Sequence, residues 1–181
     1  QNCPYQIARN EFYDSSESIT NYPFFLTSVG YAGTLKNRDV LVIDEAHNIE
    51  IELGKFVEIN ISEKFAKTLG LKFPTKETEF QAMKWIKDVY YIKAKTHLEF
   101  IKSKLNKNQK LKAKIKELKR MSEQIERLGA HVTKIGNFIE DYNVENWVYT
   151  LVPADGFSLR KFNFKPIDIS SYAEKLLFSK A

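Results

Sequence analysis

Apolar residues recur every three or four positions from Phe80 through Met83, Ile86, Tyr90, Ala94, His97, Ile101 and Leu105. They recur again from Leu111 through Ile115, Leu118, Met121, Ile125, Leu128, Val132, Ile135, Ile139 and Tyr142. That spacing lines one face of a helix. It predicts two long helices, the first opened by Thr75 or Thr78 and broken at Asn106-Lys107-Asn108. Their stripes face each other if the pair folds as an antiparallel αα-hairpin. Met83, Met121, His97 and His131 are read as core or surface residues of these helices, with no ligand role.

Other segments carry shorter patterns. Residues 1–13 read as a turn feeding a short helix, with Pro4 in its first turn. Ile19–Tyr22 reads as a short strand end, and Phe24–Tyr31 as a helix. The run Val40-Leu41-Val42-Ile43 is apolar and rich in β-branched residues, the signature of a strand buried on both faces. Asn48–Leu53 follows as a helical turn, and Phe56–Ile61 alternates like a strand. Ser62 starts a short helix closed by Gly70 and Pro74. Asn146–Val152 and Phe157–Phe164 alternate about Pro153-Ala154-Asp155-Gly156, which predicts a β-hairpin. A last helix begins near Ser171.

Charge adds a second kind of organisation. The net charge is +5, yet Lys84–Arg120 alone holds 13 Lys or Arg against 3 Asp or Glu. Basicity so concentrated points to a polyanionic partner, most simply nucleic acid, or else to a solvated helix surface. The single cysteine excludes an internal disulfide framework. No stretch approaches the length of a membrane span, and no signal peptide is visible. The protein is therefore expected in the cytoplasm, or in the nucleus of a eukaryote. With one strongly apolar strand and few others, the 181 residues read as an excerpt of a longer protein.

The candidate chemistry lies directly behind Val40–Ile43, in Asp44-Glu45-Ala46-His47-Asn48. Adjacent carboxylates at the carboxyl end of a buried strand are hard to explain as packing, because that end is where open α/β sheets bind ligands. Hydrolysis of a nucleoside triphosphate needs such a pair. One carboxylate holds Mg²⁺ through its waters, and the other orients and deprotonates the attacking water. The plainer reading is a strand ending in an acidic, solvated turn.

Three separate strings together resemble the XPD/DinG family of superfamily 2 DNA helicases. Cys3-Pro4-Tyr5-Gln6-Ile7-Ala8-Arg9 is similar to the segment holding that family's last iron–sulfur cysteine. Ile19-Thr20-Asn21-Tyr22-Pro23-Phe24-Phe25-Leu26 resembles the strand and turn before the DEAH motif. Asp44–Asn48 is similar to the DEAH box with its following Asn. Leu159–Ser170 with Tyr172–Leu177 resembles the return into the first motor domain. The region between matches by position and helical character only. The resemblance implies an α/β fragment of a RecA-like motor domain with an inserted, mainly helical Arch-like domain. Its divisions are 1–53 (part of the iron–sulfur region and the first motor domain), 54–145 (the insertion) and 146–181 (the return).

The same resemblance assigns roles. Asp44 would hold Mg²⁺ on ATP, Glu45 would be the general base, and His47 would sense nucleotide state. Cys3 would be one of four thiolates on a 4Fe-4S cluster, or else a partly buried free thiol. Tyr5 would stack on a base and Arg9 would pair with phosphate, where ordinary helix packing and solvent are the alternatives. Lys104, Lys107, Lys110, Lys112 and Lys114, around the hairpin tip, would meet the single strand through its phosphates. The implied partners are ATP, single-stranded DNA and DNA forks, with repair or replication proteins meeting the insertion. The implied activity is ATP-driven 5′ to 3′ translocation and strand separation. The Gly-x-x-x-x-Gly-Lys-Ser/Thr loop that cradles phosphates is absent, so these residues alone should not hydrolyse ATP. The competing reading is a non-catalytic nucleic-acid or partner-binding module with a vestigial DEAH string.

Overall fold

A computed structural model describes residues 3–32, 35–75, 78–110 and 115–178, without the side chains of 31, 32 and 108–110. The protein is mixed α/β and mostly helical, with one small antiparallel sheet of three strands. The chain forms two compact units, Gln1–Glu58 with Pro166–Ala181, and Ile59–Lys165.

The first unit opens with α1 (Pro4–Asp14) and α2 (Tyr22–Thr27), the latter running into a π-helical turn at Ser28–Ala32. Asn21 caps α2 by accepting the Phe24 N–H at 2.9 Å. Ile19 is 99% exposed, and Tyr22 starts the helix instead of ending a strand. The carboxyl end of α1 is closed by Arg38, whose guanidinium donates to the carbonyls of Phe12, Ser15 and Ser16. A cation there satisfies orphan carbonyls and the negative end of the helix dipole. Two further helices, α3 (Ile49–Val57) and α8 (Ser170–Leu176), pack together. They bury Leu53, Val57 and Leu176.

Residues 40–43 do not form the expected strand. The sheet consists of other segments, and Val40 and Val42 are 73% and 85% exposed. A β-branched run prefers a pleated, covered surface, and it becomes a strand only where neighbours take its N–H and C=O groups. None of the described residues pairs with it.

The second unit holds β1 (Ile59–Ser62), α4 (Glu63–Thr68), α5 (Glu79–Trp85), α6 (Tyr91–Lys110) and α7 (Ile115–Asp141). It closes with β2 (Trp147–Val152) and β3 (Lys161–Pro166). Thr78 and Gln81 form a reciprocal capping box at the start of α5. Gly70, at φ 72°, ends α4 in the left-handed conformation that a Cβ would strain. The alternating run 56–61 divides, its first two residues finishing α3, Glu58 capping that helix, and Ile59, Asn60 and Ile61 entering β1. The helix expected to break at Asn106–Asn108 continues to Lys110. Asn is only a few tenths of a kcal/mol worse than its neighbours, which does not stop a helix already propagating.

Helices α6 and α7 run antiparallel: Tyr91, at the start of α6, lies against Gly136, late in α7. Tyr90 Oη lies 2.7 Å from His131 Nε2, and Tyr142 donates to Glu79 Oε1 at 2.9 Å. Most stripe positions are buried or half-buried. Phe80 and Ile115 are exceptions, at 77% and 84% exposed, since each stands at a helix start beyond its partner's cover. In the sheet β3 lies between β1 and β2, with Ile59 opposite Phe164 and Ile61 opposite Phe162. Phe162 and Phe164 are fully buried. Phe162 meets Phe73 and Trp85, while Phe164 meets Phe138 and Tyr149. Edge-to-face and tilted pairs of this kind add about 1 kcal/mol each beyond burial.

Candidate functional site

The acidic string occupies a tight turn in the first unit. Asp44 and Glu45 make the turn, Ala46–Asn48 add one 3₁₀ turn, and α3 follows. Glu45 sits at φ 52°, ψ 41°, and it is the only non-glycine with positive φ among the described residues. That left-handed conformation costs an L-residue about 1–2 kcal/mol. Two hydrogen bonds hold it. The Glu45 N–H donates to Asp44 Oδ1 at 2.8 Å, and the Asn48 N–H donates to the Glu45 carbonyl at 2.9 Å.

A third bond fixes the turn from outside. The Tyr22 hydroxyl donates to the Asp44 carbonyl at 2.6 Å. Desolvation, and then the charges of Asp44, Glu45 and Glu52, raise the phenol above its ordinary range, so it keeps the proton it donates. Sequence pattern gives no warning of this contact, because the two residues are 22 positions apart.

The side chains themselves face outward. His47 Nε2 stands 3.3 Å from Glu45 Oε2, with the two side chains 72% and 64% exposed. An exposed pair of this kind contributes at most about 1 kcal/mol, so neither group is immobilised by the other. Asp44 is exposed as well. Such carboxylates suit an ion that keeps its waters. Magnesium takes one or two protein carboxylates together with substrate phosphates. No group of three metal-ligating side chains occurs among the described residues, and this arrangement needs none.

Cys3, Tyr5 and Arg9 fall at the amino end of α1. Cys3 precedes Pro4, caps nothing with its side chain, and carries an exposed free thiol. An iron–sulfur cluster takes four thiolates, and the chain contains one cysteine. These residues alone do not hold such a cluster. Tyr5 is 64% exposed and Arg9 is exposed one turn further on. Neither is packed into a core, since α1 buries none of its residues.

The lysines lie in the second unit. Lys104 and Lys107 are exposed on α6. Lys112 and Lys114 lie outside the described residues, as does the side chain of Lys110. Among the described predicted site residues, Glu45 is hydrogen-bonded to Asp44 and lies beside His47. No family model matches the chain, and no curated protein matches it. No helix among the described residues is long and apolar enough to cross a membrane.

Proposed function

We propose that the chain is part of an ATP-dependent DNA helicase related to the XPD/DinG family, in which the Asp44–Glu45 turn is the hydrolytic site. The observation carrying this reading is that turn. It is a strained left-handed conformation at a carboxylate, held by three hydrogen bonds, with both acid groups left in solvent. Strain of this kind survives where surrounding structure over-determines it, and it concentrates at sites of chemistry. A solvated turn without a task would be relieved by Gly or Asn.

Asp44 would hold a magnesium ion through the ion's waters, and the bound ion would neutralise charge on the phosphates. Glu45 would take the proton of the attacking water. The remaining contribution is positioning. His47, within reach of Glu45, would report the state of that carboxylate to the rest of the protein. Two further observations support the reading. One is that the apolar run at 40–43 leaves Val40 and Val42 73% and 85% exposed, side chains that strands from elsewhere in a larger sheet would cover. The second unit is inserted between two segments of the first, as an Arch-like domain within a RecA-like motor domain would be. Cys3 would contribute one ligand of a cluster whose others come from elsewhere.

The test is steady-state ATP turnover by the intact gene product carrying Glu45→Gln. Turnover should be lost while nucleotide affinity stays within a few-fold of wild type. Unchanged turnover would remove Glu45 from the chemistry, and a vestigial string would then be the better account.

A further inference from the structure

The peptide plane joining Asp44 to Glu45 is held at both ends. Its carbonyl accepts the Tyr22 hydroxyl at 2.6 Å, and its N–H donates to Asp44 Oδ1 at 2.8 Å. The tilt of that plane sets φ at Glu45, because a planar peptide can turn only by changing ψ of the residue before it and φ of the residue after it. At φ 52° the plane stands where an L-residue resists it. The carboxylate that takes the N–H is exposed and can trade that bond for water. The grip on the carbonyl comes from a half-buried ring on another element.

Tyr22 is anchored independently of the turn it holds. It is the first residue of α2, whose start is capped by Asn21 and carries Pro23. Two residues on, the Phe24 ring lies edge-on to Phe12 of α1, with centroids 5.1 Å apart. Leu26 and Ser28 are buried behind it, and Ser28 Oγ lies 3.0 Å from Tyr13 Oη. A fixed helix end therefore presents the hydroxyl.

We infer that Tyr22 is a positioning residue for the reaction at the Asp44–Glu45 turn, its hydroxyl fixing the shared peptide so that the Glu45 carboxylate is aimed at the water it deprotonates. A hydroxyl serving stability alone would gain as much from a relaxed turn, whereas this one holds the chain in a costly conformation. Without the bond, Glu45 relaxes towards negative φ and its carboxylate moves with the backbone. The effect passes through the main chain of Glu45 and needs no contact with nucleotide. The inference rests on the hydrolytic reading and adds to it the group that sets the direction of the base.

Single-turnover cleavage of Mg-ATP by the intact gene product, over a range of protein concentrations, gives a maximal rate and a half-saturating concentration. Tyr22→Phe keeps the ring and should keep the wild-type circular dichroism. Its maximal rate should fall about 5- to 50-fold, with the half-saturating concentration within about twofold of wild type. Replacing Tyr22 by 4-aminophenylalanine restores a neutral donor and should return the rate to within about threefold of wild type. A wild-type rate in Tyr22→Phe would overturn the inference, as would a changed half-saturating concentration at an unchanged maximal rate. An amino variant slower than about a tenth of wild type would overturn it too, whatever the phenylalanine variant does. Glu45→Gln assayed alongside separates the two ideas. If that variant is slow and Tyr22→Phe is not, the turn hydrolyses ATP without help from Tyr22. If Glu45→Gln cleaves at the wild-type rate, the hydrolytic reading itself fails and takes the inference with it.

Discussion

Glu45 concentrates the physical tension of the first unit in one backbone. Its left-handed conformation disfavours every L-residue with a Cβ, and glycine escapes that cost. In an ordinary helix or turn, alanine outranks glycine by up to about 1 kcal/mol. At this position the order should reverse, with Glu45→Gly more stable than Glu45→Ala by about 1 kcal/mol in urea unfolding. A more stable alanine variant would mean that the turn is not left-handed in solution. The sequence singled out Asp44, Glu45 and His47 as one contiguous string, and the structure places Glu45 against both of the others. It could not show the positive φ, since glutamate is a poor predictor of that conformation. Nor could it show the Tyr22 hydroxyl that pins the turn, since no periodicity links residues so far apart.

At the scale of elements, helices were the legible part. A period of three and four, an N-cap at Thr78 and a terminating Gly70 are local signals, and each acts where it stands. Residues 40–43 show why strands are harder. Their composition states a preference, but a ladder is a property of neighbours. The pairing of α6 with α7 has its own signature in His131, which lies against Tyr90 and Phe65. Burial, and then the positive charge of Lys134, depress its imidazole from 6.5 to about 4. The unfolded chain therefore takes up a proton near pH 6.5, while the folded protein does so only near 4. Stability contributed by neutral His131 is complete above pH 6.5 and declines as pH falls towards 4, by about 3 kcal/mol in all. Unfolding free energies measured from pH 7 down to pH 4.5 should show most of that decline in wild type. They should be nearly flat in His131→Gln, which keeps a polar partner for Tyr90. Equal slopes would place the imidazole in solvent.

At the scale of the molecule, two units do different work. The inserted unit has the larger aromatic core, with Phe73, Trp85, Phe138, Phe162 and Phe164 in mutual contact. Within it Arg160 Nε donates to Glu63 Oε2 at 2.9 Å, and Arg160 together with Lys67 holds that carboxyl at about 2. The first unit has fewer buried side chains and carries the acidic turn. Among the described residues the larger aromatic core therefore lies in one unit and the candidate chemistry in the other.

The chemical step itself gives the most direct test. Steady-state turnover can be limited by product release, which hides the base. A rapid-quench experiment on a single turnover of Mg-ATP, in the intact gene product with single-stranded DNA present, isolates bond cleavage. Glu45→Gln should slow that step by at least about a hundredfold, in keeping with the loss of a general base. A cleavage rate equal to wild type would contradict hydrolysis at the Asp44–Glu45 turn.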